Sequence, residues 1–219
     1  MSLFLKAFVI GLSIAAPVGP IGVLCIRRTL MFGRSVGLAS GLGAATADAF
    51  YGAVAAFGLT FLFRFFVQNA RPLHLAGGAV LLVIGVRTML ARRETPASAA
   101  PPRSREEEGG PAAAEGTRRA RGLMPAYAST LFLTITNPMT ILSFAAVFAV
   151  IAPAGGLGYG SAAVTVAGVF LGSAAWWIVL STGVAALRRA AGSTLLAWVG
   201  RLSGAVIAGF GASQLLERT

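Results

Sequence analysis

The sequence has little cysteine and little histidine. Its 219 residues include one cysteine, Cys25, and one histidine, His74. A single cysteine excludes an internal disulfide and a dithiol redox pair, and no Cys/His spacing of the metal-ligand type occurs. His74 follows Arg71-Pro72 at a predicted helix start, where an interfacial polar residue is expected. The sequence therefore predicts no metal site and no cofactor.

Charge is also scarce. Charged residues make up 11% of the chain and hydrophobic residues 56%, whereas soluble domains carry about 25% charged residues. Mean hydropathy is +0.79, and the charges cluster between long apolar runs. The basic residues behind the net charge of +11 lie at the ends of those runs, as in cytoplasmic loops. The composition thus predicts a polytopic membrane protein whose partner is the lipid bilayer, and it argues against nucleic-acid binding.

Six apolar runs approach the roughly 20 residues that a transmembrane helix needs. They cover about 3–24, 36–63, 73–90, 125–151, 160–187 and 197–216. The first run resembles a signal peptide because Lys6 precedes it, but it continues to Ile26, which is longer than a usual signal core. The sixth is the weakest because Arg201 interrupts it. We expect six transmembrane helices.

Basic residues divide unequally between the two sides of the predicted membrane. Twelve arginines fall in the first, third and fifth loops, and four basic residues fall on the other side. This asymmetry predicts that both termini lie outside and that the first, third and fifth loops are cytoplasmic.

The segment 91–122 separates the chain into two halves. It is rich in Pro, Ala, Gly and mixed charge, with almost no large apolar residue, so it cannot bury a core and is predicted to be a flexible cytoplasmic linker. Its run Glu106-Glu107-Glu108 is expected to be solvated. The predicted organisation is a first three-helix unit at 1–90, the linker, and a second three-helix unit at 123–219.

The two halves resemble each other. "GGAVLLVIGVRTML" from Gly77 matches "SGAVIAGFGASQLL" from Ser203, and "GPIGVL" from Gly19 matches "NPMTIL" from Asn137. Three helices is an odd number, so the second copy must start from the opposite side of the membrane. The predicted fold is an all-α polytopic membrane protein of six transmembrane helices arranged as two inverted three-helix repeats.

Prolines interrupt the first helix of each half. Pro17 and Pro20 lie in one copy and Pro138 in the other, with Gly19 and Asn137 beside them. Interrupted helices at matching positions of inverted repeats point to a transporter binding site, although membrane helices also tolerate proline as a plain kink. The symmetric placement favours the binding site.

Asp48 is the only acidic residue inside a predicted span. It is nearly central between Arg34 and Arg64, where a charge costs about 2.5 kcal/mol or more and normally faces protein or water. At 100° per residue, its helical face carries mostly small residues: Gly37, Gly41, Ala44, Tyr51, Gly52 and Ala55. The opposite face carries Phe50, Val54, Phe57 and Phe61, and the phenylalanines suit lipid. Asp48 is predicted to face inward as a proton carrier, a counter-ion for a substrate ammonium group, or a hydrogen-bonded structural acid.

Further polar and aromatic residues complete the candidate binding set. Asn137 and Thr140 are placed to supplement the carbonyl groups that Pro138 leaves without donors. Tyr51 joins Asp48 on the same face.

Two tryptophans and one arginine have open roles in the sequence. Trp176 and Trp177 lie near the middle of the fifth span, so one of them lines a cavity or both face lipid; Trp176 is included among the candidates. Arg201 is either a counter-charge to Asp48 or an arginine that extends to the interface.

Several motifs together resemble the LysE family of amino-acid exporters. They are "APVGPIGVLCIRRTLMFGRSVGLASGLGAATAD", "LTITNPMTILSF", "GVFLGSAAWW" and "RLSGAVIAGFG". The resemblance implies a bacterial inner-membrane protein, not an enzyme, that exports amino acids or similar small metabolites using the electrochemical gradient. By this resemblance, the expected functional positions are Gly19, Pro20, Asp48, Asn137 and Pro138. The charged linker is bulkier than the third loop usual in that family.

Other classes stay open on the sequence alone. A membrane electron carrier of related topology needs paired cysteines, and a membrane-embedded enzyme needs a nucleophile or metal constellation; neither is apparent. A non-transporting assembly protein is a further alternative. The sequence leaves homo-oligomerisation, the coupling ion and the identity of the amino acid undecided.

Overall fold

The structure is a computed structural model that describes residues 2–17, 19–58, 65, 68–90, 111–151, 157–190 and 193–216. Within these ranges the chain is helical and contains no strand, which confirms the all-α prediction. The helices are α1 Leu3–Ala15, α2 Pro20–Phe32, α3 Arg34–Ala56, α4 Ala70–Leu90, α5 Pro111–Ile135, α6 Pro138–Ile151, α7 Tyr159–Ala190 and α8 Ser193–Leu216.

Both predicted helix interruptions are present. The first apolar run bends by 80° between α1 and α2, and α2 begins at Pro20. The fourth run breaks between α5 and α6, which begins at Pro138. Proline is tolerated at the first position of a helix because its missing N–H would have had no intrahelical partner there. In each half, therefore, a proline at the first position of the second helix marks the break.

Several described helices are suited to a bilayer. Two are each long and apolar enough to cross one, at Arg71–Leu90 and Tyr159–Arg188, and the bent pair α1 and α2 would add a third. The boundaries depart from the prediction at α5, which begins at Pro111, so that residues 111–122 of the predicted linker are helical. The alanine-rich sequence there favours a helix even though it has nothing to bury in a core. The chain is an α-helical membrane protein.

Small residues let α3 pack closely on two sides. Gly41 lies against the Trp177 side chain of α7, and Gly43 lies against the backbone of Tyr127 in α5. The predicted inward face is largely confirmed, since its members are buried except for the half-buried Ala55, and Phe50 and Phe57 are exposed. Phe61 lies outside the described residues.

Val54 is buried, although helical geometry places it on the face opposite Asp48 with the phenylalanines. Val54 is 3% exposed, and it lies within about 20° of Gly43 around the helix axis. Gly43 is the point at which α5 approaches α3. The sequence predicts a single inward face, but a helix that packs against two neighbours buries a second face as well.

The helices α4 and α8 pack against each other reciprocally. A Cβ on Gly85 of α4 would meet Ala208 of α8, and one on Gly211 of α8 would meet Leu82 and Gly78 of α4. The order of these contacts runs in opposite directions along the two helices, so the helices are antiparallel. Two further helix pairs pack closely: α1 packs on α7, and α5 packs on α3.

Arg28 connects three helices. The sequence predicted it in a loop, but α2 continues to Phe32 and contains it. Its Nη1 donates to Ser40 Oγ in α3 at 2.9 Å, and in α5 to Ala126 O at 2.9 Å and to Thr130 Oγ1 at 2.7 Å. Its Nη2 donates to Ser129 Oγ at 2.8 Å. The planar guanidinium therefore holds α2 against α3 and α5.

We expect Arg28→Lys to lower the free energy of unfolding by about 1–3 kcal/mol, because a lysine ammonium group cannot reproduce this fork of donors. Denaturant or thermal unfolding of the detergent-solubilised protein measures the change. Arg34→Lys is the matched control, since Arg34 is exposed at the start of α3. Equal loss of stability in both variants would show that the connection contributes nothing.

Candidate functional site

A cavity lies where the two helix breaks meet. Its volume is about 60 Å³, which is room for about four water molecules. Residues at the breaks and residues from α1, α2, α3, α5, α6 and α7 line it. The packing of the two halves therefore brings segments from both halves of the chain to one site.

The cavity brings together most of the residues predicted to bind. Those that line it are Pro17, Gly19, Pro20, Asp48, Asn137 and Thr140. Gly19 and Asn137 are matched positions of the sequence repeat, as are Gly22 and Thr140, and all four line the cavity. The structure thus gives the predicted site a common location, while the binding roles of its residues remain predictions.

The other predicted site residues lie elsewhere. Tyr51 is buried, donates its hydroxyl hydrogen bond to the carbonyl oxygen of Ile135 and stacks on Phe144 at 5.6 Å, so it holds the end of α5. Trp176 is half-buried and packs on a hydrophobic cluster. Of Pro138 the structure describes the position at the start of α6, and its side chain lies outside the described part.

Asp48 has a defined hydrogen-bond partner. Its side chain is 3% exposed, and Ser173 Oγ of α7 donates to Asp48 Oδ2 at 2.7 Å. Trp177 Nε1 donates to Ser173 Oγ at 3.2 Å. Because an indole N–H can only donate, the hydroxyl hydrogen of Ser173 is directed at the carboxylate. Within the described part of the chain Oδ1 has no such partner, so this oxygen is available to a proton or a ligand.

Three further residues of the site were not predicted as candidates: Thr134, Ser173 and Trp177. Thr134 and Trp177 line the cavity, and Ser173 is fully buried behind it. The available signal was the spacing of Ser173 and Trp177, which are four residues apart and therefore share a helix face. Of the two tryptophans, it is Trp177 that lines the cavity. Arg201 is exposed and is not a counter-charge to Asp48.

Four helix ends face the cavity. The α2 and α6 N-termini begin there, and α1 and α5 end there. Helix N-termini carry a partial positive charge and C-termini a partial negative charge. The site therefore offers positive and negative ends to a ligand without a basic side chain among its described lining residues. Among the described residues no cluster of His, Cys, Asp and Glu suits a metal ion.

The resemblance to amino-acid exporters predicts that Ser173→Ala slows amino-acid exchange by roughly 10-fold or more, because a hydrogen bond to a charged group contributes about 1.5–3 kcal/mol. Ser181→Ala is the matched control: Ser181 is buried on the same helix and contacts Cys25 rather than Asp48. Initial rates of amino-acid exchange in proteoliposomes measure both variants. Equal exchange rates for wild type and Ser173→Ala would show that the hydrogen bond from Ser173 to Asp48 has no functional role.

Apolar helices long enough to cross a bilayer, with a buried acid in a cavity between broken helices, define an α-helical membrane protein with an internal polar site. The chain belongs to the LysE family: the family model, described as LysE type translocator, matches residues 12–218. Over 149 residues it is 31% identical to a Bacillus subtilis (strain 168) protein named Putative amino acid efflux protein YcgF. That match covers 68% of this chain and 63% of the relative. No solved structure matches the chain.

Proposed function

We propose that the protein is a secondary transporter that exports amino acids or similar small metabolites across the bacterial inner membrane, coupled to the proton gradient. The observation that carries the proposal is Asp48, a buried acid that lines a cavity between two broken helices. Membership of the LysE family and the similarity to a protein named for amino acid efflux support the class of substrate.

The proposed architecture is six transmembrane helices in two inverted repeats, 1–90 and 123–219, joined by a cytoplasmic linker at 91–122. The contacts of α4 and α8 support it. Leu82 and Gly85 correspond to Ala208 and Gly211 in the sequence repeat. Gly85 packs on Ala208, and its equivalent Gly211 packs on Leu82. A two-fold relation between equivalent elements produces reciprocal contacts of this kind. The cavity lies between the halves, as binding sites do in inverted-repeat transporters.

In the proposed mechanism the two halves rock around the cavity and expose it to one side at a time. Asp48 releases its proton when substrate binds from the cytoplasm and is protonated again when substrate leaves outside. It is the one ionisable residue among the described residues that line the cavity. Other titratable groups on the helices packed around it include Cys25 and Arg28 on α2 and Tyr51 on α3, and none of them lines the cavity.

The proposed orientation places both termini outside and the linker in the cytoplasm. Most arginines lie in loops predicted to be on the same side of the membrane as the linker, which marks that side as cytoplasmic. A reporter that is active only in the cytoplasm, fused within 91–110, should be active in cells. The same reporter fused after Thr219 should be inactive. The reverse result would overturn the orientation and leave the transport proposal intact.

Proteoliposomes test the transport proposal. Vesicles that contain the purified full chain and labelled amino acids should release the label faster when the outside is made acidic, and a protonophore should abolish the stimulation. Protein-free vesicles are the control. Release that does not respond to the gradient would overturn proton coupling, and release no faster than from the control would overturn transport.

A further inference from the structure

The charge inside the cavity matches one cation. Asp48 is the single charged side chain among the described lining residues, and Ser173 occupies one of its oxygens. The remaining oxygen, Oδ1, suits one ammonium group. A second cation on a substrate side chain would be desolvated without a partner, and a second anion would face the same carboxylate; both are costly in a buried site.

The N-termini of α2 and α6 match one carboxylate. No side chain caps α2, and the first-turn amides of Ile21 and Gly22, two residues that line the cavity, have no intrahelical acceptor. In α6 the Asn137 side chain accepts from the Met139 amide at 3.1 Å, and Thr140 follows with its amide and hydroxyl. Backbone amides at a helix start bind anions without a basic side chain.

Apart from Thr134, the rest of the described cavity wall is apolar. Ile14, Ala44 and Trp177 form part of it. Trp177 is held by its hydrogen bond to Ser173 and by its contact with Gly41. A cavity with room for about four water molecules suits a small amino acid and leaves no space for a long side chain.

We infer that the substrate is a small zwitterionic amino acid whose own side chain carries no charge. Its ammonium group binds Asp48 Oδ1 and its carboxylate binds the first turns of α2 and α6. The inference rests on the proposed transport function and specifies the substrate class of the same site. It excludes lysine, arginine and glutamate as good substrates, which membership of an amino-acid exporter family does not.

Counterflow in proteoliposomes of the wild-type chain tests the inference. Vesicles loaded with unlabelled alanine or serine should take up the same labelled amino acid at least 10-fold faster than matched vesicles exchange lysine, arginine or glutamate. Excess N-acetylalanine, which lacks the ammonium group, and alaninamide, which lacks the carboxylate, should each inhibit alanine exchange at least 10-fold less well than serine does.

The outcomes separate the inference from the proposed function. Exchange of lysine, arginine or glutamate as fast as alanine would overturn the substrate class while transport stands. Equal inhibition by either analogue and by serine would overturn the assignment of the corresponding end of the zwitterion. If no amino acid is exchanged by protein that unfolds cooperatively and elutes as one species, the proposed function fails, and the inference fails with it.

Discussion

Asp48→Asn is expected to reduce proton-driven amino-acid efflux by ~100-fold. Asparagine has the same shape and its carbonyl oxygen can still accept the hydrogen bond from Ser173, but it carries neither a proton nor a negative charge. Removing the charged partner of an ammonium group costs up to about 3 kcal/mol, which corresponds to the expected fold-change. Initial efflux rates from proteoliposomes at a fixed pH gradient measure it.

Two controls keep that result interpretable. Glu217→Gln removes one acid near the end of the sequence and should transport as wild type does. The thermal unfolding midpoint of Asp48→Asn should be no lower than that of wild type, because the substitution removes a buried charge. Efflux by Asp48→Asn at the wild-type rate would exclude Asp48 from the mechanism.

The second large effect is expected where α8 touches α4. A Cβ on Gly211 would lie 2.7 Å from the carbonyl oxygen of Gly78 and 3.0 Å from Leu82 Cα, and backbone atoms cannot rotate out of the way. Gly211→Ala should therefore force the two helices apart and lower the free energy of unfolding by about 1–3 kcal/mol. Thermal or denaturant unfolding in detergent measures this loss.

The same helix provides the control. A Cβ on Gly209, two residues earlier, would meet nothing within 4 Å. Gly209→Ala should leave stability unchanged or raise it slightly, because alanine favours the helix over glycine by about 1 kcal/mol. If the two alanine variants unfold at the same midpoint, the close approach of α8 and α4 is not present in the protein.

Much of the fold follows from local features. Apolar runs predict the helices, and proline at Pro20 and Pro138 predicts where two of them restart, because the ring removes a donor that only a helix start can spare. Boundaries were harder. The start of α5 at Pro111 and the continuation of α2 through Arg28 escape a hydropathy criterion, because helix propensity and side-chain hydrogen bonds extend a helix beyond its apolar part.

The candidate site was predictable to the extent that it consists of rare residue types. A lone acid and paired prolines in apolar sequence stand out, and they lie together around the cavity. Ser173 and Thr134 did not stand out, since serine and threonine are common in membrane helices, and the sequence alone does not decide which of the adjacent Trp176 and Trp177 faces the cavity. Their roles depend on which helix lies opposite.

The sequence by itself determined the membrane class, the helix breaks and the buried acid, because hydropathy, proline stereochemistry and the cost of an intramembrane charge act locally. The tertiary structure alone decided what Asp48 contacts, that the face of α3 with Val54 is buried as well, and how Arg28 joins three helices. Those outcomes depend on backbone approach at glycines such as Gly41 and Gly43, and a distance between helices is a property of the packed chain rather than of any one segment.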